Sequence, residues 1–225
     1  MSRRALLLLP TVPFLVSFGC AGTVHLPSPT PPGSATPAPR TSSPAPADPP
    51  PPGLVDIPSS IRVDLRYATP DNFTGAPLPG YERRDRGLLR PAAAAALARA
   101  EVDLERSGHS LLVLDAYRPV RATLAMVAWA HRTHRDDLIG PYIASHSEHN
   151  LGTAVDVTVN GLDMGAPFDT FGPGAHYANA SGRALANRAL LRDAMLAAGF
   201  RPYDYEWWHF SYPVPGATPL DDVIR

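Results

Sequence analysis

The sequence is poor in cysteine, in excess basic charge and in long hydrophobic runs. Cys20 is the only cysteine among 225 residues, so the chain can form neither an internal disulfide nor a cysteine-rich metal site. The formal net charge is −1, which provides no basic surface for nucleic acid, so we expect no nucleic-acid partner. Hydrophobic residues make up 44% of the chain, as in ordinary globular proteins. We therefore expect one folded domain together with additional segments.

The first twenty residues have the layout of an export signal. Two arginines precede an apolar run that ends among small residues at Cys20. The run is too short for a membrane-spanning helix and contains two prolines. Its last part, FGCAG, resembles the lipobox of bacterial lipoproteins, in which the cysteine is lipidated and becomes the first mature residue. We therefore expect residues 1–20 to be an export signal of the lipoprotein type, and an ordinary signal peptide cut near Ala21 is the alternative.

The next segment, residues 21–52, is dominated by proline, serine, alanine and threonine. It has too few large apolar side chains to offset the entropy of ordering, which predicts a disordered tether. The folded domain would then be residues 53–225. With Cys20 lipidated, the tether would hold this domain on the outer side of the cytoplasmic membrane, and the lipid would be its one membrane contact. Without the lipid, the exported protein would be periplasmic or secreted.

Within the domain, predicted strands and helices alternate and are separated by long irregular segments. Alternating or β-branched runs predict strands at 61–67, 110–115, 153–159 and 203–212. Helix-forming runs with proline or serine at the start predict helices at 91–105, 119–132 and 181–199. This order favours an α+β domain in which helices pack on a small, mainly antiparallel sheet.

The stretch SHSEHNLGTAVD, residues 145–156, places polar groups suited to a metal around a glycine. Gly152 allows a tight bend, so His149 before the bend and Asp156 after it could face one point. Asp156 alternates with valines on the predicted strand, which puts the acid and the valines on opposite faces. Taken singly, Asp156 could be a hydrogen-bonded aspartate and His149 a surface histidine.

The stretch DYEWWHF near the end of the domain could complete a metal site. A hydrolytic zinc ion takes three nitrogen or oxygen ligands and keeps one position for water. His149, Asp156 and His209 would form that set, with one zinc ion per chain, and Glu206 would be the general base. In a regular strand Glu206 and His209 point to opposite faces, so we predict a turn, bulge or single helical turn at Glu206–Trp208.

The stretch LDAYRP places Arg118 where a predicted strand gives way to a helix. One interpretation is a surface salt bridge, which accounts for most arginines. The other is a fixed cation beside the negative charge that develops when water attacks a carbonyl group.

Together these stretches resemble the zinc D-alanyl-D-alanine dipeptidases, the VanX-like branch of the LAS (lysostaphin, D-Ala-D-Ala metallopeptidase and sonic hedgehog) peptidases. The family motifs S-x-H-x-x-G-x-A-x-D, E-x-x-H and YRP match Ser147 to Asp156, Glu206 to His209, and Tyr117 to Pro119. The segments DLRYATPDNFTGAPLPGY and DMGAPFDTFG also match, so the resemblance extends from Ile61 to about Tyr212.

The resemblance implies a fold, an activity and roles for six residues. The fold would be the LAS/hedgehog-like zinc peptidase fold. The activity would be hydrolysis of the D-Ala-D-Ala dipeptide, or of related peptidoglycan peptides, by metal-activated water in cell-wall metabolism. The implied zinc ligands are His149, Asp156 and His209; the base is Glu206, the transition-state stabiliser is Arg118, and a further substrate-binding residue is Ser147. His146 and His176 match no ligand position.

Two alternative functions remain open at this point. A D,D-carboxypeptidase would trim D-alanine from peptidoglycan stem peptides, although the match of TPDNFTGAPLPGY favours the dipeptidase. A non-catalytic, zinc-containing cell-wall binding module would need no base, so the presence of Glu206 and Arg118 argues against it.

Overall fold

The computed structural model describes residues 48–225. The predicted export signal, and the predicted tether up to residue 47, lie outside the described residues, and the three predicted domain boundaries stay predictions. No helix within 48–225 is long and apolar enough to cross a membrane.

A five-stranded sheet organises the domain. Its strands, in spatial order, are β2 (Arg62–Val63), β4 (Leu111–Asp115), β5 (Ala154–Val159), β7 (Glu206–Ser211) and β6 (Arg201–Tyr203). β2 runs parallel to β4, and the other three pairings are antiparallel. A separate antiparallel pair is formed by β1 (Val55–Asp56) and β3 (Leu88–Leu89). The expected mainly antiparallel sheet is confirmed.

Three helices accompany the sheet: α1 (Pro91–Glu105), α2 (Val120–Arg132) and α3 (Gly182–Ala197). Short 3-10 helices lie at Arg66–Ala68, Asp136–Leu138, Glu148–Leu151 and Pro173–Ala175. The bounds of α1 are those predicted, because Pro91 occupies the first helical position, where its missing N–H costs nothing, and alanines follow it.

The valine face of β5 belongs to the hydrophobic core. Val155, Val157 and Val159 are fully buried in one cluster with Leu97 of α1 and Leu191 of α3. Since side chains alternate along a strand, Asp156 must point away from this core. The strand thus holds a carboxylate on a rigid element while its other face stabilises the fold.

The predicted strand at 61–67 is shorter than expected. Only Arg62 and Val63 pair with β4, and the chain then enters the 3-10 helix Arg66–Ala68. The turn buries Tyr67, whose hydroxyl donates to Asp169 at 2.8 Å. This contact spans 102 residues of sequence, so local alternation of polar and apolar residues could not reveal it.

The predicted single strand at 203–212 is a hairpin. β6 and β7 are separate strands, and Tyr203 pairs with Glu206 across a turn at Asp204 and Tyr205. The turn contains neither glycine nor proline, the residues that most often mark one, and this is why the aromatic run suggested a continuous strand.

A segment near the C-terminus, residues 218–224, lies across the domain and is called here the C-terminal strap. The backbone N–H of Leu220 donates to the Asn150 carbonyl at 2.9 Å, and the Leu220 carbonyl accepts from Val120 at 3.1 Å. Ile224 is fully buried, and its N–H donates to the Gly80 carbonyl at 2.9 Å. The strap therefore ties the turn that contains Asn150 to the start of α2.

Candidate active site

A capped helical turn positions His149. The 3-10 helix Glu148–Leu151 begins after Ser147, whose hydroxyl accepts from the His149 N–H at 3.3 Å. The Asn150 side chain in turn accepts from the Ser147 N–H at 3.3 Å, which completes a capping box. Gly152 ends the turn at φ 70°, a left-handed conformation that glycine adopts without strain. The expected bend at this glycine is confirmed.

Three side chains converge beyond this turn. His149 Nε2 lies 3.1 Å from His209 Nδ1 and 3.3 Å from Asp156 Oδ1, and His209 Nδ1 lies 3.0 Å from Asp156 Oδ1. Tetrahedral metal bonds of about 2.0–2.1 Å would separate ligand atoms by about 3.3 Å. The spacing of two imidazole nitrogens and one carboxylate oxygen therefore fits a single divalent metal ion, and His149, Asp156 and His209 could hold it.

The second nitrogen of His149 orients the ring. Nδ1 lies 2.7 Å from the Ala116 carbonyl, an acceptor, so Nδ1 carries the proton and Nε2 offers a free lone pair. Asp115 lies 3.5 Å from the same Nδ1. Burial alone would raise the pKa of Asp156, but the imidazoles of His149 and His209 outweigh it and hold that pKa below its usual range. Asp156 is therefore ionised, as a metal ligand must be.

A bulge in β7 brings Glu206 to the same cavity as His209. β6 pairs Pro202 with Phe210 and Tyr203 with Glu206, so three residues of β7 have no partner on β6. Both Glu206 and His209 line the cavity described below. The predicted irregularity at Glu206–Trp208 is confirmed, and the buried indoles of Trp207 and Trp208 meet edge-to-face within it at a centroid distance of 5.2 Å.

The carboxyl group of Glu206 is unusually basic. Burial raises its pKa to about 8, and the nearby negative charge of Asp156 adds to the increase. A carboxyl group with a pKa near the working pH can both accept and return a proton. Glu206 is therefore suited to proton transfer beside the three converging side chains.

Arg118 is held rigidly and is 8% exposed. Its Nε donates to Asp115 at 2.9 Å, its guanidinium lies over the Tyr67 ring at 5.0 Å, and NH2 is 3.6 Å from Asp156. Asn150 donates to the Arg118 carbonyl at 2.8 Å and so ties its backbone to the His149 turn. Arg118 is therefore not a surface salt bridge, but a cation directed at the cavity.

Asp169 is a buried acid that the sequence analysis did not single out. Tyr67 donates to its Oδ1 at 2.8 Å, and its buried Oδ2 has no hydrogen-bond partner within the described residues. Burial raises its pKa well above the usual range, and the negative charges of Asp156 and Glu206 add to the shift. A carboxyl oxygen without a partner at a cavity wall is available to a donor group of a ligand, and a positively charged donor would favour the ionised form of Asp169.

These side chains surround one cavity of about 260 Å³. Ligand cavities for drug-sized molecules are usually about 300–1,000 Å³, so this one suits a smaller ligand. All six residues predicted from the sequence line it: Ser147, His149, Asp156, His209, Glu206 and Arg118. His146 also lines it but lies outside the converging trio, and His176 lies outside both.

Asp115 and Asp169, which the sequence did not reveal as site residues, each accept a hydrogen bond from a tyrosine that is distant in sequence. Asp115 accepts from Tyr81 at 2.7 Å over 34 residues, and Asp169 accepts from Tyr67 over 102 residues. One signal was available, because Asp115 and Asp169 both fall within the quoted stretches LDAYRP and DMGAPFDTFG.

Two imidazoles and a carboxylate around one point, with a basic glutamate and a buried arginine at the same cavity, define a metallopeptidase on an α+β fold. The chain belongs to the M15 peptidases: residues 53–224 match the family described as D-ala-D-ala dipeptidase.

Two proteins with similar sequences agree with this assignment. The chain is 37% identical over 179 residues to a D-alanyl-D-alanine dipeptidase of Enterococcus faecalis, an alignment that covers 70% of this chain and 88% of the relative. It is 36% identical over 178 residues to the enzyme of that name from Streptomyces coelicolor, covering 69% and 88%. Among solved structures, the LdcB LD-carboxypeptidase is similar at a TM-score of 0.47 and 22% identity, over 72% of this chain and 68% of that one.

Proposed function

We propose that this protein hydrolyses the dipeptide D-Ala-D-Ala with a single zinc ion, in cell-wall metabolism. Family membership supports the reaction, and the names of the relatives support the substrate. The observation that carries the proposal is the arrangement of His149, Asp156 and His209 beside Glu206, in a cavity whose size suits a dipeptide.

The donor atoms support zinc as the metal. Imidazole nitrogen and carboxylate oxygen are common zinc ligands, and three such ligands leave a position open in catalytic sites. His149, Asp156 and His209 would hold the ion. When bound there, zinc lowers the pKa of a coordinated water to about 7 and polarises a carbonyl oxygen.

Glu206 would move the proton. In its ionised form it accepts a proton from the attacking water, and it then returns that proton to the leaving amine nitrogen. Its carboxyl group lines the same cavity as His149, Asp156 and His209, so one group can serve both transfers. No covalent bond between enzyme and substrate is required.

Arg118 would stabilise the negative charge that develops on the carbonyl oxygen during attack. Its orientation is set before substrate arrives, because Asp115, Tyr67 and Met126 already contact it. A preorganised donor of this kind stabilises the transition state without the cost of reordering water.

The free amino group of the substrate would bind Asp169. The amine is positively charged, so its approach would favour ionisation of Asp169, whose unpartnered Oδ2 can then accept a hydrogen bond from it. Ser147 lines the same cavity, and its hydroxyl can contact the substrate while it caps the His149 turn.

The test is zinc-dependent release of D-alanine from D-Ala-D-Ala by the purified protein. Chelation should abolish the activity and added zinc should restore it. Glu206→Ala should lower kcat by about 10²–10⁴-fold while zinc content stays at one per chain. The control His131→Ala, on the exposed surface of α2, should keep the parent rate. Hydrolysis that survives chelation, or a Glu206→Ala protein with the parent kcat, would contradict the mechanism.

A further inference from the structure

Six aromatic rings, four of which line the cavity, form a chain of contacts called here the aromatic collar: Phe73, Phe171, Tyr142, His176, Tyr205 and Tyr203. Successive ring centroids in this order are 5.1, 5.8, 6.2, 4.7 and 5.5 Å apart. These distances fall within the range of favourable aromatic pairs. The collar ends next to the metal site, because the Tyr203 ring meets the His209 ring edge-on at 6.1 Å.

The collar joins four segments that are distant in sequence. Phe73, Tyr142, Phe171 and Tyr203 line the cavity, whereas His176 and Tyr205 lie behind them. The collar is therefore both a wall of the cavity and a connection between otherwise separate loops.

Two side-chain hydrogen bonds fasten the collar to the segment 140–147, called here the rim segment. The Tyr203 hydroxyl donates to the Pro141 carbonyl at 2.9 Å, and the Tyr142 hydroxyl lies 2.8 Å from His176 Nε2. Within the rim segment, the Gly140 N–H donates to the Ile143 carbonyl at 3.0 Å. The rim segment ends at Ser147, the cap of the His149 turn, so its position affects the width of the cavity next to the metal site.

The collar also lies where a longer substrate would have to leave the cavity. Under the proposed function the substrate amine binds Asp169, and Phe171 follows two residues later on the same segment. Phe171 contacts both Phe73 and Tyr142. Residues added at the amine would therefore run into this part of the collar.

We propose that the aromatic collar excludes substrates longer than a dipeptide and so acts as a length filter. The hydroxyls of Tyr203 and Tyr142 strengthen this exclusion because they hold the rim segment in place. This inference rests on the proposed function and adds the residues that confine its substrate to two amino acids. Neither hydroxyl takes part in the chemical step, so both act as specificity-determining groups.

The fastening itself can be measured without activity. Tyr203→Phe and Tyr142→Phe keep the rings and remove one hydrogen bond each. Amide hydrogen exchange of the full-length protein should become at least fivefold faster at Gly140 and Ile143 in both variants. Tyr212→Phe is the matched control, because Tyr212 lies outside the collar and the cavity and its hydroxyl has no hydrogen-bond partner among residues 48–225, and it should exchange at the parent rate.

Selectivity is tested on the zinc-loaded full-length proteins. The ratio of kcat/KM for diacetyl-L-Lys-D-Ala-D-Ala to that for D-Ala-D-Ala should increase at least tenfold in Tyr203→Phe and Tyr142→Phe, and stay at the parent value in Tyr212→Phe. If the parent cleaves the dipeptide and the Tyr203→Phe and Tyr142→Phe variants keep the parent ratio of the two kcat/KM values, the length filter alone is overturned. A parent that fails to cleave the dipeptide would instead overturn the proposed function.

Discussion

Asp115 joins three side chains of the site although it does not line the cavity. It is completely buried, accepts hydrogen bonds from Tyr81 at 2.7 Å and Arg118 at 2.9 Å, and lies 3.5 Å from His149 Nδ1. A buried carboxylate with these partners fixes the direction of both the cation and the imidazole. The position of two functional groups thus depends on one acid at the end of β4.

Removing this acid should be costly. Asp115→Ala leaves the Arg118 guanidinium buried without its carboxylate, and breaking a buried ion pair in this way costs about 3–5 kcal/mol. Urea unfolding of the metal-free protein measures the loss. Tyr81→Phe is the control, since it removes one hydrogen bond to the same carboxylate and should cost about 1 kcal/mol. Equal losses in the two variants would show that the ion pair contributes little.

Glu206 should make the metal-free protein less stable as the pH rises. Its pKa is about 8 in the folded protein and 4.5 in the unfolded chain. Unfolding therefore releases a proton from Glu206 at any pH between these two values. Stability should therefore be lost from about pH 4.5 to pH 8, by at most about 5 kcal/mol, and change no further above that. Below pH 4.5 Glu206 is protonated in both the folded and the unfolded protein, so it adds no pH dependence to the free energy of unfolding.

Glu206→Gln should remove this pH dependence, because glutamine does not ionise. At pH 8 the metal-free variant should be more stable than the parent, and the difference should shrink toward pH 5. Thermal unfolding across this pH range is the measurement. A parent and a variant with parallel pH profiles would show that Glu206 is not buried as described.

At the scale of the element, the bulge in β7 resolves a conflict between strand geometry and function. A regular strand would direct Glu206 and His209 to opposite faces. The bulge leaves Trp207, Trp208 and His209 without partners on β6, while β5 still pairs Asp156 with His209. The pairing of β7 with β5 thus remains regular where Asp156 and His209 lie side by side. The pairing of β7 with β6 is irregular where Glu206 turns toward the cavity.

Gly152, at the end of the His149 turn, should tolerate substitution poorly. It has φ 70°, and a Cβ atom there would lie 2.6 Å from Leu54 Cδ2. Gly152→Ala should cost at least about 1–3 kcal/mol and weaken zinc binding, because the strain falls on the turn that positions His149. Gly161→Ala is the matched control, since it has φ 79° but open space around it. Chemical unfolding and zinc titration measure both effects, and an equal loss in the two variants would exclude a specific role for the clash.

The elements differ in how far the sequence revealed them. α1 was predicted to the residue because proline and alanine act locally, and the site trio was predicted because Gly152 and the β-branched strand set its geometry. The hairpin of β6 and β7 was missed, because its turn contains neither glycine nor proline and is flanked by aromatic residues on both sides. Asp169 was missed because its one partner, Tyr67, lies 102 residues earlier. Contacts of that span depend on the assembled fold and leave no local pattern.

At the scale of the whole molecule, the predicted lipid anchor has a direct test. When expressed in a bacterium, the full-length protein should sediment with membranes, and Cys20→Ser should move it to the soluble exported fraction. Removal of residues 1–52 should leave kcat/KM for D-Ala-D-Ala unchanged, since residues 53–225 contain every residue assigned to the site. If Cys20→Ser also sediments with membranes, the lipoprotein signal is wrong.

The C-terminal strap has a consequence for when the enzyme becomes active. The residues of the strap follow every site residue in the chain. The Leu220 N–H nevertheless donates a hydrogen bond to the Asn150 carbonyl on the His149 turn, and the Ile224 N–H donates one to the Gly80 carbonyl. During synthesis the ribosome therefore releases the strap only after both histidines and the glutamate have emerged. A chain without the strap in place would hold all its catalytic groups but lack the hydrogen bonds to Asn150 and Gly80, so we expect activity only after the strap has docked.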